Sequence, residues 1–155
     1  MPSESPIQGA TLTRLDTHVD DRGSLTVILR NDHPGFTQFG QVYLVGNHAV
    51  GTIRAWHKHS VMWDWFFISH GCAKFGLVDD RAKSPTHGVQ WAVTIAAQSP
   101  AVLGVPPGVF HGWMSLAHDT QLISIADQRY GDPGWDEERV PYDHFPDFPW
   151  KVVHR

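Results

Sequence analysis

The chain has 155 residues, eleven histidines and a formal net charge of −4, with an isoelectric point near 6.2. That length fits one domain with a core large enough to stand without cross-links, and the lack of a basic block argues against nucleic acid or an anionic membrane as the main partner. Cys72 is the one cysteine, which excludes an internal disulfide and points to a reduced, cytoplasmic setting; "MPSESPIQGA" lacks the features of a secretory signal, and no apolar run approaches the roughly 18 residues of a membrane span.

Residues 1–15 read as an N-terminal arm within a single domain covering residues 1–155. Short runs rich in β-branched and aromatic residues follow: Ser24–Arg30, Gln41–Asn47, Gly51–His57, Asp64–Ser69, Ala73–Asp79, Val89–Ala96, Ala101–Pro106 and Thr120–Ala126. Turn signals separate them, among them "DDRG", "NDHPG", "SHG", "KSPTHG" and "PPG". No long amphipathic helical pattern interrupts the series. Evenly spaced short strands predict an all-β sandwich or barrel of the jelly-roll kind. From residue 130 the chain turns Pro- and aromatic-rich, so residues 130–155 are expected to wrap the barrel or a partner subunit.

The stretch "GTIRAWHKHSVMWD" carries the strongest chemical signal. Alternate residues of a strand share a face, so His57 and His59 point the same way if the strand runs through them. The full spacing is G-x5-H-x-H-x4-D-x6-G from Gly51 to Gly71, followed by P-x-G-x2-H at Pro106, Gly108 and His111. This resembles the two motifs of the cupin superfamily, with Asp64 in place of the usual glutamate. The resemblance implies an all-β, cupin-type double-stranded β-helix. It also opens one reading of the site, in which His57, His59, Asp64 and His111 hold a divalent transition metal.

A second resemblance is more extensive. "DDRGSL", "GTIRAWH", "LVDDRAKSPTHGVQW" and "VPPGVFHGWMSL" fall in order between Asp20 and Leu116. Together they resemble the dTDP-4-dehydrorhamnose 3,5-epimerase family, sugar-nucleotide enzymes on the cupin jelly roll. The third block is the most specific, because a generic cupin has no need of S-P-T-x-G-x-W. The resemblance implies an epimerase or isomerase acting on a nucleotide-linked 4-keto-6-deoxy sugar, without a cofactor, as a homodimer whose edge strands are exchanged or paired. It assigns the general base to His57 and a group beside the keto oxygen to His111. It further implies Arg22 and Arg54 as phosphate contacts, Gln41 as a pocket residue, and Asp79 as a pocket carboxylate.

The chain departs from the family at three points. The tyrosine expected as opposing acid falls on Ser124, and the expected pocket lysine falls on Asp64. The C-terminal helix whose carboxylate pairs with the base has no counterpart in the sequence. Tyr43, which shares a strand face with Gln41, and Tyr130 are candidate replacement acids. His59 is another candidate, in a 3,4-keto isomerisation with Asp64 paired to a histidine. A non-catalytic sugar-nucleotide-binding protein is the remaining alternative. Arg54 poses a geometric problem. It lies three residues before His57, so both reach one pocket only across a bulge or sharp twist.

Overall fold

The computed structural model describes residues 5–154. The strands, in chain order, are β1 (Thr11–Arg14), β2 (Thr17–Asp20), β3 (Gly23–Thr26), β4 (Gln41–Asn47), β5 (Ile53–Lys58) and β6 (Asp64–His70). They continue as β7 (Cys72–Asp79), β8 (Gln90–Ala96), β9 (Ala101–Val105), β10 (Val109–Ser115), β11 (Thr120–Ala126) and β12 (Glu138–Arg139). No helix among the described residues is long and apolar enough to cross a membrane.

Two antiparallel sheets form, in the orders β1-β9-β6-β11-β4 and β12-β5-β10-β7-β8, while β2 and β3 make a separate hairpin. This is the jelly roll that the strand spacing and the cupin motifs predict. Phe66, Ile68, Leu103 and Leu122 of the first sheet face Phe75, Leu77, Ile95 and Trp113 of the second in one continuous core. The outer faces are covered as well. On the first sheet, Leu29, Phe36 and Trp63 pack over Trp65, Phe67 and Val102. On the second, Phe145, Phe148 and Trp150 of the tail close around Trp56, Val78 and Phe110. Strands buried on both faces lose the alternation of a half-exposed strand, so β6 and β7 read as nearly continuous apolar runs. Gly71 joins them with φ +80, a conformation open to glycine.

Several strands differ from the sequence reading, β2 and β12 among them. The Ser24–Arg30 run pairs only over β3, and Ile28 and Leu29 beyond it pack unpaired on the first sheet. The segment Thr11–Arg14, read as arm, pairs with β9. Unanticipated β10 lies between β5 and β7 and is buried along its whole length. It carries His111, so the strand that the turn signal "PPG" hid is the one that positions the site.

Candidate active site

β5 and β10 are the foundation of the site. His111 pairs with His57, but Trp113 pairs with Arg54. Between these pairs one residue on β10, Gly112, opposes two on β5, Ala55 and Trp56, the bulge that the spacing of Arg54 and His57 requires. Gly112 admits the extra residue, because a Cβ there would lie 2.4 Å from the Ala55 Cβ and 2.8 Å from the Arg54 carbonyl oxygen. As a result Arg54, His57, His59 and His111 line one cavity of about 190 Å³ between the sheets, together with Tyr43, Glu137 and Arg139. Arg54 is held by its Nε–H, which donates to Asn47 Oδ1 at 2.7 Å.

His57 has the carboxylate partner that the sequence appeared to lack. Its Nδ1 lies 3.1 Å from Glu137 Oε1, and Arg139 Nε–H donates to Glu137 Oε2 at 2.5 Å. No helix supplies this acid. The tail does, because β12 adds to the edge of β5 with Glu138 opposite Lys58 and Arg139 opposite His57. Lys58 fixes the register through ion pairs to Asp80 and Glu138 at 2.5 and 2.7 Å. Burial lowers the His57 pKa from 6.5 and Glu137 raises it; Arg139 and His59 then reinforce the lowering. Burial raises Glu137, but the Arg139 hydrogen bond and the His57 charge outweigh it and keep the carboxylate ionised. A two-residue strand in an acidic run leaves no pattern in the sequence, so Glu137 and Arg139 were not legible there.

Behind these groups sit His59, Asp64 and His111. His59 Nδ1 lies 2.7 Å from the Asp136 carbonyl, and His111 Nδ1 lies 3.2 Å from the Val109 carbonyl. A carbonyl only accepts, so both rings donate their Nδ1–H there and turn Nε2 inward. Both Nε2 atoms approach Asp64 Oδ2, at 3.4 and 3.6 Å. Burial raises Asp64 well above the usual carboxylate range, and the charges of Asp127 and Glu137 push the same way. Burial and the neighbouring His59 and His57 lower His111 to about 3, so it is neutral at physiological pH. The three ligand-type atoms lie within 4.8 Å of one another, and among the described residues this is the group that could hold a metal ion. His57 is outside that group and turns its Nδ1 to Glu137.

The remaining sequence candidates are divided by the structure. Tyr43 lines the cavity and pairs directly with Ser124 across β4 and β11. Its phenol therefore rises from the strand next to the one on which the family tyrosine was expected. Burial raises its pKa from 10.0, opposed by the Ser124 hydroxyl. Tyr130 is not at the cavity. It is 77% exposed, packs edge-on against Trp135, and its backbone N–H donates to Gln41 Oε1. Gln41 is thereby committed to the tail. Asp79 is fully buried away from the cavity, where it accepts from Arg81, Ser84 and Thr86. The S-P-T block thus closes a loop around a structural carboxylate. Arg22 lies on the β2–β3 hairpin, exposed and paired with Asp20.

A sequence model of the family described as dTDP-4-dehydrorhamnose 3,5-epimerase matches residues 4–152. The chain belongs to this family. Within it, the chain is 31% identical to the spore coat polysaccharide biosynthesis protein SpsL of Bacillus subtilis, over 88% of this chain and 91% of that one. It is 30% identical to the probable low-salt glycan biosynthesis epimerase Agl13 of Haloferax volcanii, over 83% and 84% of the two chains. Among solved structures, a dTDP sugar isomerase from Desulfovibrio desulfuricans G20 superposes with a TM-score of 0.81 at 32% identity, covering 94% of this chain and 92% of that one. The protein is therefore a sugar-nucleotide epimerase by family.

Proposed function

We propose that the cavity epimerises a dTDP-linked 4-keto-6-deoxy sugar for polysaccharide synthesis, by removing a proton next to the ketone and returning one to the opposite face. The observation that carries this reading is the His57–Glu137 pair facing a cavity that Tyr43 also lines. His57 is neutral at physiological pH and takes the proton; Glu137 stabilises the imidazolium that forms. His111, on the same cavity wall, borders the keto oxygen. Tyr43 delivers the returning proton in place of the tyrosine expected at Ser124. None of these steps requires a cofactor.

A cavity of about 190 Å³ is smaller than the roughly 300–1,000 Å³ that encloses a drug-sized ligand. The sugar ring therefore enters, and the nucleotide lies along the mouth beside Arg54. The active form is a homodimer. The β2–β3 hairpin stands apart from both sheets and exposes Val19 and Leu25, and the edge strand β4 exposes Val42 and Leu44. Arg22 on that hairpin then reaches the nucleotide in the partner's cavity.

The test is incorporation of solvent deuterium into dTDP-4-keto-6-deoxyglucose. The wild-type protein is expected to exchange hydrogen beside the ketone and form an epimer, and His57→Ala to do neither. Exchange that persists in His57→Ala would refute His57 as the base. Binding without any exchange in the wild type would refute the enzymatic reading.

A further inference from the structure

Arg139 occupies a position that neither family resemblance nor sequence pattern assigns. It lies opposite His57 in the β12–β5 ladder, and its Nε–H is committed to Glu137, the carboxylate that meets His57 Nδ1. Its side chain is nevertheless 70% exposed and borders the same cavity as Arg54. A guanidinium carries five N–H donors in a rigid fork. One edge here is used on Glu137, and the described residues provide no further hydrogen bond to the other nitrogens. The remaining donors belong to a largely exposed side chain that lines the cavity, open to an anionic ligand there.

We propose that Arg139 couples binding to chemistry: one edge of its guanidinium fixes Glu137 on His57, and the other takes the diphosphate of the nucleotide sugar beside Arg54. This inference rests on the function proposed above and names how the two halves of that site communicate. Arg139 is a positioning residue for the base as well as a ligand contact. Its positive charge stands close enough to disfavour the imidazolium form of His57, together with His59, while Glu137 favours that form. A bound diphosphate offsets the guanidinium charge. The base then regains proton affinity when a substrate is in place. By linkage, whatever diphosphate does to His57, protonation of His57 does in reverse to diphosphate affinity. The groups facing this assembly are His59 and His111 beside His57, and Asp64 and Tyr43 across the cavity from Glu137.

The experiment measures two quantities that do not depend on turnover. One is the affinity for dTDP by calorimetry. The other is the His57 titration by imidazole NMR, with and without dTDP, in the wild type, Arg139→Gln, Arg54→Gln and Glu137→Gln. Arg139→Gln is expected to weaken dTDP about tenfold, the loss of one charge-assisted contact. It should also raise the His57 pKa of the free protein and abolish most of the rise that dTDP causes in the wild type. Arg54→Gln should weaken dTDP but leave the dTDP-induced rise intact at saturation. Glu137→Gln should lower the His57 pKa and leave dTDP affinity near the wild-type value.

The same dTDP-induced rise in wild type and Arg139→Gln would reduce Arg139 to a plain phosphate contact and overturn the coupling. Unchanged dTDP affinity in Arg139→Gln would reduce it to an orienter and overturn it equally. Where deuterium exchange by the wild-type protein fails, the catalytic reading falls, and these binding and titration results still decide whether Arg139 couples the two sites.

Discussion

At the scale of single residues, the cavity holds a phenol and a carboxylate on other segments than the family resemblance implies. The family tyrosine is Ser124 here, yet Tyr43 stands opposite it in the β4–β11 ladder. Neighbouring strands lie about 4.8 Å apart, less than the length of a tyrosine side chain, so a phenol from either strand can serve one cavity. The same holds for the carboxylate on His57, which comes from a strap of β-type tail instead of a helix. Tyr43→Phe separates abstraction from return of the proton. Solvent deuterium should still enter the substrate carbon in this variant, while formation of the inverted product falls about 10²–10⁴-fold. Inversion at the wild-type rate would assign the acid elsewhere. His57, His59, His111 and Arg54 were legible in the sequence as cavity residues, because a strand's periodicity and the motif glycines place them. Tyr130, Gln41, Asp79 and Arg22 were not legible in the same way. Their positions depend on which loop or subunit covers the chain, and a one-dimensional spacing does not encode that.

At the scale of elements, the bulge in β5 and the loop after β7 each show a motif serving the fold so that the site can be open. The Arg54–His57 spacing announced the bulge, and Gly112 on β10 makes room for it. β10 itself escaped the sequence reading, since a glycine in its middle and a Pro-Gly turn before it resemble loop punctuation. The loop after β7 carries the most specific family block, and it resolves into hydrogen bonds rather than ligand contacts. Burial alone would raise Asp79. The Arg81 guanidinium, the Ser84 and Thr86 hydroxyls and the Arg81 backbone N–H outweigh it and hold the carboxyl well below its ordinary value of 3.8. A carboxylate with a depressed folded-state pKa stabilises the fold above its unfolded value, and that stability is lost as pH falls toward the folded value. Asp79→Ala is therefore expected to cost about 3 kcal/mol at neutral pH, since it leaves Arg81 without its buried partner. The difference from wild type, followed by chemical denaturation, should shrink as pH drops below about 4. Affinity for dTDP should stay unchanged in the same variant. A loss of dTDP affinity with intact stability would instead place Asp79 in the binding site.

At the scale of the whole molecule, the two faces of β4 have opposite fates. Tyr43 and Val45 turn into the cavity, whereas Val42 and Leu44 turn out, beside an exposed Phe39. β4 is also an edge strand, with unpaired backbone groups along one side. A long apolar edge is a hazard unless something covers it. The hairpin of β2 and β3 offers a cover of matching character, with Val19 and Leu25 exposed on a ribbon that pairs with neither sheet of its own chain. In the homodimer proposed above, one apolar edge and one apolar ribbon per chain would cover each other across a two-fold axis, and such an isologous contact closes without leading to a filament. The same proposed contact would carry the exposed Arg22 on its ribbon to the neighbouring cavity. Leu44→Asp and Leu25→Asp should each convert the wild-type dimer to a folded monomer in sedimentation equilibrium. Both should weaken dTDP about as much as Arg22→Gln does in the intact dimer, because each route removes the same guanidinium from the same diphosphate. A wild-type protein that sediments as a monomer at micromolar concentration would sink this arrangement. A dimer in which Arg22→Gln binds dTDP normally would retain the interface but sever it from the site.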